Sequence, residues 1–405
     1  MGRIAKVLLF LLIVLGVLLG NGGIAEAVAA DGGENAPEEQ AMPESLPQDT
    51  LDLVDTAEME RFLANLDQNM LQYQRQFRLT EMWQAIKTGQ FDWNLQSVLS
   101  ALIEVFLGQL KAEGLLLWQM LALSLLCVLL SLLKSSFSGS DISLISTFVA
   151  YLLVIAPAIA VFSQALLEAR AAVSLIGDFI YALLPVLLPL LAAIGGVTTV
   201  AVVNPLLALA LGVTIGLMRN LIFPLIYFSA VLQLIGRLSP RLAIDKLASL
   251  FKDVALGVLS ITMTVFVAFL SLSGMATASI DGLAVKAAKT ATGIFIPVVG
   301  RSLADAMDSV LATALVLKNW IGFTGAVALL FICALPALKL LVQALLFKLA
   351  GAMIQPLGDQ VLAEALTGVG KSFTLLFGAL AISGLFAYFG LALLIGAGNL
   401  TMMLR

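Results

Sequence analysis

Histidine is absent from all 405 residues of the chain. The absence removes every His-ligated zinc site, every Ser-His or Cys-His catalytic pair and the commonest proton shuttle. Rhomboid-type proteases and H-E-x-x-H membrane metalloproteases are excluded with them. Charge is nearly as scarce. Asp, Glu, Lys and Arg together make up 12% of the chain, against about a quarter in an ordinary soluble domain. A soluble protein of this length needs a polar shell, and these residues cannot build one. The two cysteines, Cys127 and Cys333, both lie inside apolar runs, so they read as small core residues and provide no disulfide framework. No stretch is basic enough, or interleaved enough with aromatics, for a nucleic-acid footprint.

Apolar residues take the remaining space: 60% of the chain is hydrophobic, with a mean hydropathy of +1.04. They gather in runs of about 18 to 25, the length that crosses a hydrocarbon core of ~30 Å as a helix. The fold expected is all-α: a polytopic helical membrane protein of six to eight spans, with broken or re-entrant hairpins and a small helical ectodomain. Residues 1–27 have signal-peptide form, with Arg3 and Lys6 before an apolar stretch from Val7 to Gly20 and an Ala25-Glu26-Ala27 cleavage site. Residues 28–50, rich in Pro, Gly and Glu, read as a disordered acidic linker. Residues 51–113 carry helical periodicity, for example Leu95, Val98, Leu99, Leu102, Ile103, Phe106 and Leu110, and read as an extracytoplasmic helical domain. From Asp31 to Glu113 there are 15 acidic and 5 basic residues, and from Gly114 to Arg405 there are 10 acidic and 15 basic. An acidic outer part therefore precedes a mildly basic membrane domain, 114–405.

Spans are expected near 115–133, 142–167, 179–195, 197–218, 220–236, 254–280, 321–338 and 373–398. With the ectodomain outside, the loops at 134–141, 237–253 and 339–371 are cytoplasmic and hold 1, 4 and 3 basic residues. Pro185, Pro189 and Pro205, with Gly195-Gly196 between them, predict a broken or re-entrant hairpin over 179–218. A faint repeat pairs 179–280 with 290–398. Met218-Arg219-Asn220-Leu221-Ile222 matches Leu317-Lys318-Asn319-Trp320-Ile321, and 290–317 then corresponds to the broken hairpin. Interrupted apolar segments at matching places in two halves point to a transporter-like central site.

Two near-motifs fail. Gly368-Val369-Gly370-Lys371-Ser372 resembles the end of a phosphate-binding loop, but Ala365 stands where the opening glycine belongs and 353–367 reads as helix. Lys371 is expected as an interfacial anchor instead. Gly177-Asp178 and Gly358-Asp359 resemble intramembrane aspartyl-protease motifs without their preceding glycine. Catalytic, cofactor and metal residues are therefore not assigned. On the 293–319 segment, Arg301, Asp305 and Asp308 fall at i, i+4 and i+7 on one helical face, where they either line a polar cavity or meet solvent as an interfacial helix. With Pro297, Gly300, Lys318, Asn319, Pro185, Pro189, Asn204 and Pro205 they form the candidate pore residues.

Three blocks carry a resemblance: KAAKTATGIFIPVVGRSLADAMDSVLATALVLKNWIG (286–322), LPVLLPLLAAIGG (184–196) and LKLLVQALLFKLAGAMIQPLGD (338–359). Together with GQFDWNLQSVLSALIEVF (89–106), they are similar to the stage III sporulation protein AE family of endospore-forming bacteria. Arg301 departs from the small or polar residue more usual after Val299-Gly300. The resemblance implies the large polytopic, non-enzymatic subunit of an export-apparatus-like channel complex, built from the eight stage III A-operon proteins. That complex lies in the mother-cell membrane around the forespore. Its implied partners are the stage III protein AA ATPase, the stage III protein AH ring protein and, through AH, stage II sporulation protein Q. It implies no cofactor and a permease-like role in late forespore development. A stand-alone secondary transporter and an inert scaffold for ring proteins are the competing readings.

The mature chain is expected to begin at Val28 or within a few residues of it. N-terminal sequencing of membrane-extracted protein checks this, and recovery of Met1 in most molecules would make residues 7–24 an anchor.

Overall fold

The computed structural model describes residues 95–135, 140–194, 197–238, 244–268, 299–357 and 359–403. The signal peptide, the linker and most of the ectodomain lie outside these residues, as do Gly195-Gly196, Pro297 and 269–280. Among the described residues there are helices and no strand. In chain order they are α1 (Leu95–Ala112), α2 (Gly114–Ser135), α3 (Ser140–Ala193), α4 (Val197–Leu217), α5 (Phe223–Leu238), α6 (Asp245–Ala268), α7 (Val299–Ile354) and α8 (Gln360–Met403). Six stretches among the described residues are long and apolar enough to cross a membrane: Ile103–Leu129, Tyr151–Ala193, Pro205–Arg237, Asp245–Ala268, Ala314–Leu357 and Gln360–Gly396. The protein is an integral membrane protein by this criterion.

Two pairs of expected spans are fused. The range 142–167 and, from the next, 179–193 belong to α3, a single helix of 54 residues that runs through Pro157, Pro185 and Pro189. The ranges 197–218 and 220–236 join through a π-helical turn, Met218–Ile222. The prolines therefore do not break 179–218: α3 and α4 are continuous helices, Pro205 included. Proline removes one backbone donor, but breaking the helix in hydrocarbon would strand several, so the helix continues. The proline that does alter the backbone is Pro224. Its ring would press on the Asn220 carbonyl in a regular α-turn, and just before it the Phe223 N–H bonds to the Met218 carbonyl instead, widening the helix by one residue. Residues 299–317, the described part of the second expected hairpin, are likewise uninterrupted helix.

Specific contacts set the directions of the helices. α7 and α8 form an antiparallel pair around a turn at Gln355–Leu357, where Pro356 cannot continue the helix. Asp359 caps α8, accepting from the Leu362 N–H at 3.0 Å. The start of α3 lies beside this turn, since Tyr151 Oη donates to Asp359 Oδ1 at 3.2 Å. The end of α5 lies there too, through the Arg237–Glu364 ion pair, and α6 returns from it with Ser229 Oγ bonded to the Ala248 carbonyl at 2.7 Å. The start of α3, the end of α5, the start of α6 and the α7–α8 turn thus share one end of the bundle. At the other end Lys318 meets Ile395, Gly325 meets Leu183 and Leu391, and Phe266 stacks on Phe386 with centroids 4.1 Å apart. The segment 339–371, expected as a cytoplasmic loop, is the last part of α7, the turn and the first part of α8. Arg170 and Arg219, expected in outer loops, lie within α3 and the π-turn.

The core stripe of α3 is Val173, Ile176, Ile180, Leu183 and Leu187, spaced three or four residues apart and all buried. Phe162 of α3 meets Phe373 of α8 edge-on at 5.0 Å and stacks on Tyr227 of α5 at 6.3 Å. Cys127 is buried, and Cys333 packs where Gly384 of α8 leaves room. α1, the end of the segment read as ectodomain, places Val105 in the same core. α6 lies at the edge. It buries Ala248, Ala255, Leu259, Thr262 and Phe266, and exposes Ile261 and Val265.

α7 and α8 approach closely because small residues face each other, the packing that lets helices associate in lipid. A Cβ on Gly351 of α7 would lie 2.7 Å from the Ala363 carbonyl oxygen of α8, and one on Gly370 would lie 2.9 Å from that of Ala344. At Gly378 it would meet nothing within 4 Å. Gly351→Ala is therefore expected to destabilise by about 1–3 kcal/mol. Gly378→Ala should be neutral or stabilising by up to about 1 kcal/mol. Thermal unfolding of the purified protein in detergent measures both.

Candidate functional site

The structure separates the sequence-derived candidates. Gly300, Arg301, Asp305 and Asp308 occupy the first turns of α7, and Asn204 lies in α4. Pro185, Pro189 and Pro205 are exposed positions on continuous helices. Lys318 is buried to 1% exposure, with its Nζ donating to the Ile395 carbonyl at 2.6 Å. Beside it, Asn319 Oδ1 and Trp320 Nε1 are buried without a hydrogen-bond partner among the described residues. The matched pentad behaves differently: Arg219 and Asn220 are exposed. The resemblance between the two pentads thus does not extend to their surroundings. Asp178 is exposed within α3, while Asp359 caps α8 at the turn, so the two aspartates form no dyad. Residues 368–372 lie inside α8, with Ser372 Oγ bonded to the Gly368 carbonyl at 3.2 Å, and make no phosphate-binding loop.

Among the described residues, the most concentrated charge inside the bundle involves residues that sequence reasoning passed over. Lys339 of α7 reaches both carboxylate oxygens of Glu168 on α3, at 2.9 and 2.8 Å. It lies 3.9 Å from Glu113 Oε1, at the corner between α1 and α2. One turn along α7, Gln343 Nε2 donates to the same Glu113 oxygen at 3.3 Å. On α3, Gln164 Nε2 donates to Glu168 Oε1 at 3.3 Å. The side chains of Lys339, Glu113 and Glu168 are only 16–18% exposed. The corner is held by the Glu113 N–H bonding back to the Gln109 carbonyl and the Leu116 N–H bonding to that of Glu113. Three elements far apart in sequence thus bring two carboxylates and one ammonium together inside an apolar bundle.

Among the described residues, no group of three or more Cys, Asp or Glu side chains could hold a metal ion. The cluster offers electrostatic and hydrogen-bonding chemistry to a small ion or a polar solute, and no nucleophile. Sequence reasoning missed it because Glu168 was read as lying in a loop and Lys339 in a cytoplasmic segment. A usable signal was present: Gln109/Glu113, Gln164/Glu168 and Lys339/Gln343 each place an amide and a charge one helical turn apart.

The family model for stage III sporulation protein AE matches residues 77–398. The chain belongs to this family. It is 36% identical over 317 residues to the stage III sporulation protein AE of Bacillus subtilis strain 168, covering 78% of this chain and 79% of that protein. No solved structure matches. Membership in the stage III sporulation protein AE family supports a role in sporulation and adds no known enzymatic activity. The match spans every residue of the ion cluster as well as the 286–322 block.

Removing the cation of this cluster strands two carboxylates. Lys339→Met is expected to destabilise by about 3 kcal/mol. Adding Glu168→Gln should recover part of the loss, because the neutral pair no longer needs a partner. Unfolding midpoints of the two variants and wild type in detergent form the test.

Proposed function

We propose that the chain is a non-enzymatic, permease-like subunit of a multi-protein sporulation channel linking mother cell and forespore. Family membership supports the sporulation role. The transport role is carried by one observation: Glu113, Glu168 and Lys339 are ion-paired inside a bundle whose surroundings are apolar. Charges held in such surroundings are expensive, and in membrane helices they mark ion and substrate pathways. On this reading Arg301, Asp305 and Asp308, in the first turns of α7, remain candidate pore residues.

The expected setting is the mother-cell membrane around the forespore. The end bearing Arg237, Lys246 and Lys252 would face the cytoplasm, since basic residues favour that side, and the segment before α1 would lie on the extracytoplasmic side. The partners proposed are the other stage III A-operon proteins, including the AA ATPase and the AH ring protein, and indirectly stage II sporulation protein Q. A separate ATPase suits a chain whose Gly-Lys-Ser segment is helical. The edge helix α6, with Ile261 and Val265 outward, offers apolar surface to lipid or to a neighbouring subunit.

The double variant Glu168→Gln, Lys339→Gln removes the ion pair without leaving an unpaired charge between the two positions. It is expected to keep normal membrane levels and co-purification with its partners while spore yield collapses. Wild-type spore yield would instead make the chain an inert scaffold.

A further inference from the structure

Among the described residues the cluster holds two carboxylates and one ammonium, and the Gln343 and Gln164 amides meet the carboxylates through their N–H groups. Glu168 is neutralised by Lys339, which touches both of its oxygens. Glu113 shares the same ammonium at 3.9 Å, and its hydrogen bond comes from the neutral Gln343 amide, so two carboxylates draw on one cation. Gln343 is 4% exposed, and its Oε1 is buried with no hydrogen-bond partner among the described residues. A buried carbonyl oxygen in that state normally has a partner, so its exception calls for one. A second amide, Gln109, is buried at 8% exposure one turn before Glu113. A carboxylate that shares its cation and a buried carbonyl oxygen joined to it through one amide attract the same ligand.

The geometry points to a binding site for one small monovalent cation at the junction of the α1–α2 corner, α3 and α7, with the Glu113 carboxylate and Gln343 Oε1 as its principal oxygens. Hard cations take oxygen ligands from carboxylates and amide carbonyls. A divalent ion would exceed the charge of the second carboxylate and lacks the carboxylates it prefers. Lys339 fixes the valence by cancelling Glu168. Arg170 and Lys111 stand two residues from Glu168 and Glu113, which places them on other faces of their helices. The site deepens the transport reading, on which its use in moving a solute rests, but its occupancy is measured without reference to sporulation.

The test uses the full chain purified in detergent. Binding of radiolabelled sodium is followed to saturation, and unfolding midpoints are compared in sodium chloride and in N-methylglucamine chloride at equal ionic strength. The expected result is saturable uptake of about one sodium ion per chain and a midpoint that rises with sodium concentration, as linkage requires. Glu113→Gln should abolish both effects and Gln343→Leu should weaken them. Lys339→Met should bind sodium more tightly than wild type, although it is less stable, which simple structural damage would not produce. Wild-type protein with no sodium uptake and equal midpoints in the two salts overturns the proposal. A midpoint that follows pH but not sodium also overturns it, placing a proton on Glu113. Sodium binding with normal spore yield from the neutral double variant would retain the site and reject its role in transport.

Discussion

A backbone in hydrocarbon has no water to bond, and each unpaired N–H or C=O there costs several kcal/mol. That constraint explains more of this structure than any single contact. It keeps α3 helical through three prolines, because losing one donor at each is cheaper than exposing a whole turn. It carries α4 into α5 through a widened π-turn at Pro224 rather than a loop. It also makes side-chain packing, not backbone pairing, the variable that decides which helices meet. Gly351 and Gly370 then matter because they let α7 and α8 come close enough for dispersion forces to hold them.

Within this framework the charged groups divide by how they are satisfied. Lys318 turns to a helix carbonyl, Asp359 to a helix N-terminus and a tyrosine, and Arg237 to Glu364. The Glu113–Glu168–Lys339 group differs because it draws on three separate elements and holds unlike numbers of positive and negative charges. A buried pair is weak evidence for stability, since apolar residues of similar volume often serve as well. An unbalanced group is weaker still as a stabilising device. Such a group suits a binding role better than a stabilising one.

The apolar runs made the helical class legible, because helix length and hydropathy are local properties. The same runs concealed the fusions. Glu168 and Arg170 look like a loop between two spans until Lys339, 171 residues later, is seen to neutralise the glutamate. Gln343 and Glu113 are 230 residues apart, and no periodicity connects them. Proline misled in the other direction: its effect depends on whether freed carbonyls can find partners, which a sequence does not display. Lys318 was legible as an ionisable group beside an apolar run, but its burial against Ile395 depends on α8.

The length of α3 has a further consequence. Its 54 residues extend about 80 Å, and even at a steep tilt of about 40° they rise about 60 Å, twice the ~30 Å hydrocarbon film. Roughly half of the bundle's height must therefore stand clear of the acyl chains. Charge indicates which half. Lys252, Asp253, Lys348, Glu364 and Lys371 all lie toward the α7–α8 turn, whereas 314–338 holds only Lys318. The outward Leu345, Leu349 and Met353 belong to the apolar stretch Ala314–Leu357, so beside that charged end α7 still offers an apolar face to lipid or to another protein.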